Sequence, residues 1–78
     1  MAETEPTDWE ALVRGIVKAE LKRRNVSYQQ LAERLREMDA NETTASITNK
    51  LSRGRFTAVF FVQCLRAMGC QTVRLVSD

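Results

Sequence analysis

Lys50, Arg53 and Arg55 fall close together, and Arg66 and Arg74 follow them, in a stretch from Thr43 to Ser77 that contains no aspartate or glutamate. Ammonium and guanidinium groups with no competing carboxylate suit phosphate recognition, because a cation that meets a phosphate releases condensed counterions. The net charge of +2 conceals this asymmetry. Four of the ten acids (Glu3, Glu5, Asp8 and Glu10) lie among the first ten residues, which hold no base, so residues 11–78 carry +6. Such a charge map points to a small nucleic-acid-binding module. In a chain this short, an ordinary solvated face has the same appearance.

The residues that are missing exclude other chemistry. There is no histidine, and Cys64 and Cys70 are the only cysteines. A zinc site therefore cannot be assembled from the usual nitrogen and sulfur donors, and Ser-His and Cys-His catalysis are removed with it. With no carboxylate between Thr43 and Ser77, no acid-base dyad can be proposed there either, so the sequence reads as a non-enzyme without cofactor or metal. The two cysteines read as reduced, small apolar residues, which fits a cytoplasmic protein. No early segment joins a basic region to an apolar one, and no apolar run approaches the ~20 residues needed to span a bilayer.

Seventy-eight residues make one small domain,. The first six, MAETEP, are acidic and end at the only proline, and are expected to form a flexible tail. Thr7-Asp8-Trp9-Glu10 fits a capping box, followed by a helix that buries Trp9, Leu12, Val13, Ile16, Val17 and Leu21 and stops near Arg24 or Asn25,. Ser27-Tyr28-Gln29-Gln30 forms a second box and opens a helix with Leu31, Ala32, Leu35 and Met38 inward,. Residues 39–42 read as a turn. Thr43 or Thr44 caps a third helix, and Gly54 ends it,. With Ile47 and Leu51 inward, helical geometry turns Asn49 directly outward, beside Ala45, Ser46, Ser52 and Arg53, with Lys50 at the flank,.

Thr57 caps a fourth helix, with Phe56 and Phe61 placed as a hydrophobic staple and Gly69 ending it,. Between Ala58 and Met68 only Gln63 and Arg66 are polar, so this helix is apolar around most of its circumference,. Residues 71–76 alternate Thr72 and Arg74 against Val73 and Leu75, the pattern of a half-buried strand,. Surplus apolar surface and an open strand edge call for a partner. A homodimer is expected, through the fourth helix and the C-terminal strand, with Val59, Val62, Arg66, Val73 and Leu75 at the interface,.

The segments LKRRNVSYQQLAERL, ASITNKLSRGRF and VFFVQCLRAMG, over roughly residues 18–70, resemble the Xre-like (lambda-repressor/Cro-like) helix-turn-helix DNA-binding family. Leu31-Ala32 resembles the Leu-Ala pair of that family's first motif helix, and Ile47 the buried aliphatic of its recognition helix. Gly54 resembles the glycine that ends that helix, and residues 65–69 the closing helix. The chain departs from the family in the longer, glycine-free segment between Leu35 and Ile47 and in the later position of Gly54, so a longer second helix or loop and a shifted recognition helix are expected. The whole chain also resembles a group of small bacterial proteins of unknown function.

The resemblance implies a mainly α, four-helix lambda-repressor-like helix-turn-helix domain over residues 7–70, with a short C-terminal β-strand in 71–78. It also implies a division of labour on double-stranded DNA. Tyr28 and Gln29 would meet a phosphate at the second helix's N-terminus, and the third helix would enter the major groove with Thr43 at its head among the DNA contacts. There Ser46 and Asn49 would read base edges and Arg53 would take a guanine or a phosphate, while Lys50 and Arg55 would hold the backbone. The function expected is therefore a dimeric, sequence-specific transcriptional regulator. The alternative is an antitoxin-like or adaptor module that binds another protein through its apolar fourth helix and C-terminal strand.

Overall fold

Each helix of this chain starts where a short oxygen-bearing side chain can take an amide that the helix itself leaves unsatisfied. The computed structural model describes residues 8–75. In it α1 (Trp9–Arg24), α2 (Tyr28–Glu37), α3 (Thr44–Arg53) and α4 (Ala58–Ala67) follow Asp8, Ser27, Thr43 and Thr57 as N-caps. Ser27 with Gln30, and Thr43 with Ser46, form reciprocal capping boxes,. At the head of α4 the Phe56 and Phe61 rings stack 6.3 Å apart across the cap, which is the expected staple,.

The helix ends follow from residues that tolerate a left-handed backbone. Asn25 (φ 58°) closes α1 and Gly54 (φ 69°) closes α3,. The six-residue connector between α2 and α3 lacks a glycine, and Asp39 (φ 63°) takes the left-handed position there,. Ala40 then turns inward and is buried, which lets a glycine-free connector serve as a tight junction.

α1 and α2 each pack on both α3 and α4, and their shared core is the contact among Val17, Leu21, Leu31, Ala32, Leu35, Ile47, Leu51, Phe60, Cys64, Leu65 and Met68. Val26, Ala40 and Cys70 seal it from the connectors. No Cα atom of α3 lies within 8 Å of one in α4, so these two helices are joined by side chains and by their common neighbours. Arg24 Nη1 donates to the Met68 carbonyl at 3.2 Å and Arg34 Nη1 to that of Ala67 at 3.4 Å. Two cations from α1 and α2 thus satisfy the orphan carbonyls at the end of α4.

The mainly α, four-helix architecture is present, but among the described residues there is no C-terminal strand. Residues 71–75 form no strand, and all five are exposed, Val73 and Leu75 included. Thr72, Arg74 and Leu75 instead line a groove of about 540 Å³ with Ala11, Leu12, Gly15, Ile16 and Ala19 of α1. A helix flank has no free ladder of amides and carbonyls, so period-two alternation next to it finds nothing to pair with. Trp9 is also corrected. It is 68% exposed rather than core, and of its expected stripe only Val17 and Leu21 are buried, with Leu12, Val13 and Ile16 half-buried. Met38, expected inward, is exposed because α2 stops one residue before it. Asp8 rather than Thr7 caps α1, accepting from the Ala11 amide at 3.0 Å. Thr7, the tail 1–6 and residues 76–78 lie outside the described residues.

Candidate nucleic-acid interface

Ile47 and Leu51 bury one side of α3 completely, and helical periodicity then decides what the other side shows,. Thr44, Ala45, Thr48, Asn49, Ser52 and Arg53 are exposed, while Ser46 and Lys50 are half-buried along the flank. The outward face is therefore built of small side chains, one amide and one guanidinium, with no carboxylate. Asn49 makes no side-chain hydrogen bond among the described residues, and Arg53 makes no ion pair among them. They lie one turn apart, so both can address a surface laid along the helix. Thr48 turns its hydroxyl back to the Thr44 carbonyl at 2.8 Å, leaving its methyl group outward,.

The flank is organised around Glu42. Its Oε2 lies 2.7 Å from Lys50 Nζ, and its Oε1 accepts from Ser46 Oγ at 2.6 Å. Ser46 Oγ in turn accepts the Thr43 amide at 2.9 Å, and Thr43 Oγ1 accepts the Ser46 amide at 3.1 Å. The hydroxyl of Ser46 is thus fully engaged in holding the start of α3. Lys50 Nζ also sits 4.6 Å from the centre of the Phe60 ring,. Burial pushes the Glu42 carboxyl up, but the hydrogen bonds from Lys50 and Ser46 outweigh it and hold the group below its ordinary range,. Burial pushes the nearby Cys64 thiol up to about 12, with the Glu42 charge adding to it.

Arg55 turns the other way. Its Nε donates to Glu10 on α1, although the side chain remains 79% exposed. Gly54 fixes this junction. A Cβ there would stand 2.5 Å from the Glu10 carbonyl oxygen, so a glycine is required for approach as well as for φ,. At the head of α2, Tyr28 packs its ring against the core, whereas Gln29 is exposed. The box between Ser27 and Gln30 satisfies the amides of those two residues and leaves those of Tyr28 and Gln29 as the orphan donors of that turn,. On α4, Val59 and Val62 are 65% and 52% exposed and share a stripe with the exposed Arg66.

The expected site residues therefore separate into groups. Asn49 and Arg53 stand together on the open face; Ser46 and Lys50 gather on Glu42, with Thr43 bonded to Ser46; Arg55 is drawn to α1; Tyr28 is part of the core wall. Residues 9–73, which include all four helices, match the family described as Domain of unknown function (DUF6471). The chain belongs to that family. No curated protein and no solved structure matches it. Among the described residues of this DUF6471 domain, no cluster of histidine, cysteine and carboxylate side chains could hold a metal ion, and no helix is long and apolar enough to cross a membrane.

Two further residues of the DUF6471 domain, outside the set expected from the sequence, belong to this surface. Thr48 is exposed on α3, in line with Ala45 three residues before it and Ser52 four residues after it,. Glu42, in the connector before α3, anchors the flank of that helix. The signal was its spacing, with Ser46 four residues and Lys50 eight residues further on, one side of a helix continued a turn upstream,.

Proposed function

We propose that this chain is a sequence-specific DNA-binding transcriptional regulator that acts as a dimer and places α3 in the major groove. The observation that carries the reading is the outward face of α3, exposed, free of carboxylates and armed with an unengaged Asn49 and Arg53. Small residues let the helix backbone approach base edges, and asparagine suits the N6/N7 pair of adenine. Arg53 and the orphan amides at the head of α2 address guanine or phosphate. The ion pair of Arg55 with Glu10 is solvent-exposed and so exchanges readily for a phosphate,. Val59, Val62 and Arg66 on α4 supply the face through which two copies meet, setting two α3 helices about 34 Å apart for successive major grooves.

The test is selection of bound duplexes from a random pool, followed by a salt titration on the enriched sequence. An enriched palindrome and an affinity that falls steeply with salt are the expected results. No binding to any duplex at low salt would end this reading. A second reading, a protein-interaction module, is favoured by the exposure of Trp9, Val59 and Val62 on other helices. It predicts a partner complex whose affinity barely responds to salt.

A further inference from the structure

Glu42, Lys50 and Phe60 come from three separate places, the α2–α3 connector, α3 and α4, yet they meet at one point. Because α3 and α4 have no close backbone approach, the Lys50 side chain acts as a strut between them. Its ammonium group lies between a carboxylate that is only 12% exposed and the face of a buried ring. To reach a phosphate it would have to leave both, and Glu42 would then keep an uncompensated, largely buried charge. Ser46, one turn before Lys50, binds the other oxygen of the same carboxylate, so the start of α3 and its middle are tied to one anchor.

Building on the DNA-binding reading, we infer that Lys50 and Glu42 are positioning residues that set the tilt of α3 against α4, and so aim Asn49 and Arg53, instead of touching DNA themselves. Loss of the strut then blurs which base is read while leaving the number of phosphate contacts unchanged. A lysine that held the DNA backbone would do the reverse.

The experiment uses the full chain and its Lys50→Met, Lys50→Arg and Glu42→Gln variants, each titrated onto the selected duplex and a scrambled one across a series of KCl concentrations. For Lys50→Met the expected result is a loss of about tenfold or more on the selected duplex and less than about twofold on the scrambled one. The slope of log affinity against log salt stays at the wild-type value, because that slope counts phosphates. Lys50→Arg restores selectivity, since a guanidinium keeps both the carboxylate and the ring. Glu42→Gln lowers selectivity as Lys50→Met does.

Equal losses on both duplexes, with a slope shallower by about 0.9, would place Lys50 on a phosphate and overturn the inference. A Glu42→Gln variant that binds both duplexes more tightly, with a steeper slope, would also overturn it, since Glu42 would then be a competitor for Lys50. If the wild-type chain binds neither duplex, the DNA-binding reading fails alone. The strut is then judged by the proton spectrum, in which the Lys50 ε-methylene protons are shifted upfield by the Phe60 ring and move back in Glu42→Gln. Unshifted protons in the wild type would remove it.

Discussion

α3 and α4 are helices of equal length, each begun by a threonine cap and each packed on the same two neighbours, but they turn opposite chemistry to solvent. The outer face of α3 is threonine, alanine, asparagine, serine and arginine; that of α4 is Val59, Val62 and Arg66. Caps and core contacts make each segment helical and hold it in place. Their faces, which those contacts leave free, decide what each helix can meet. A small polar surface without carboxylates suits a polyanion, and an exposed valine stripe suits another apolar surface.

The two helices also end differently, and this difference gives the largest expected effect. Gly54 closes α3 at φ 69° against the α1 backbone, whereas Gly69 follows α4 at φ 82° in open space, with Arg24 Nη1 3.9 Å from where a Cβ would stand. Gly54→Ala should cost about 2–5 kcal/mol, combining the left-handed penalty with a backbone clash. Gly69→Ala should cost about 1–2 kcal/mol, from the backbone penalty alone. Urea unfolding of both variants measures the gap. Equal losses would mean that α3 is not seated on α1 at Gly54.

Next come the two faces themselves. Asn49→Ala should cost about 1–3 kcal/mol at a single base position of the selected duplex and leave assembly unchanged. Val62→Asp should do the opposite to assembly, weakening self-association at least tenfold, about 1.4 kcal/mol, while the protein stays folded. Sedimentation equilibrium and duplex titration on both variants check this. A Val62→Asp protein with unaltered association would take α4 out of the dimer contact.

The smallest effect is that of acid. Glu42 and Glu20 are held below their ordinary value of 4.5, Glu42 by Lys50 and Ser46 against its burial, and Glu20 chiefly by its hydrogen bond from Arg24. Each therefore binds its proton more readily in the unfolded chain. Their contribution is fully present above pH 4.5 and is lost as pH falls through the lower folded values. A stability profile in urea should be flat from pH 7 to pH 5 and decline below it, and Glu42→Gln should make the decline shallower. An unchanged decline in Glu42→Gln would exclude Glu42 as a source of it.

Local signals in the sequence carried most of the helical layout. Ser27, Thr43 and Thr57 as caps, Asn25 and Gly54 as closers, and Phe56 with Phe61 as a staple act within a few residues of each other, so their spacing is sufficient. The outward turn of Asn49 and Arg53 followed from Ile47 and Leu51 in the same way. What spacing could not show depends on distant partners. Lys50 and Arg55 look alike in the sequence, but one is held by Glu42 and Phe60 and the other by Glu10. Trp9 has a place on the helical stripe of α1, yet full burial along that stripe begins only at Val17, about two turns further on, and the ring stays 68% exposed,. Alternation in residues 71–76 suggested a strand because period-two patterning describes the segment alone and not the neighbour it would need.

The grip of Arg24 and Arg34 on the last carbonyls of α4 also bears on how firmly the end of that helix is held. α4 follows the other three helices in the chain, and the groups that finish its C-terminal turn are carried by α1 and α2. Ten residues are too few to hold a helix in water without such help,. The last turn of α4 is therefore completed by the tertiary structure, through cations carried by two helices that α3 and α4 themselves bring together. Amide protons in the final turn of α4 should consequently exchange at the rate set by whole-molecule opening, not by fraying of a free terminus.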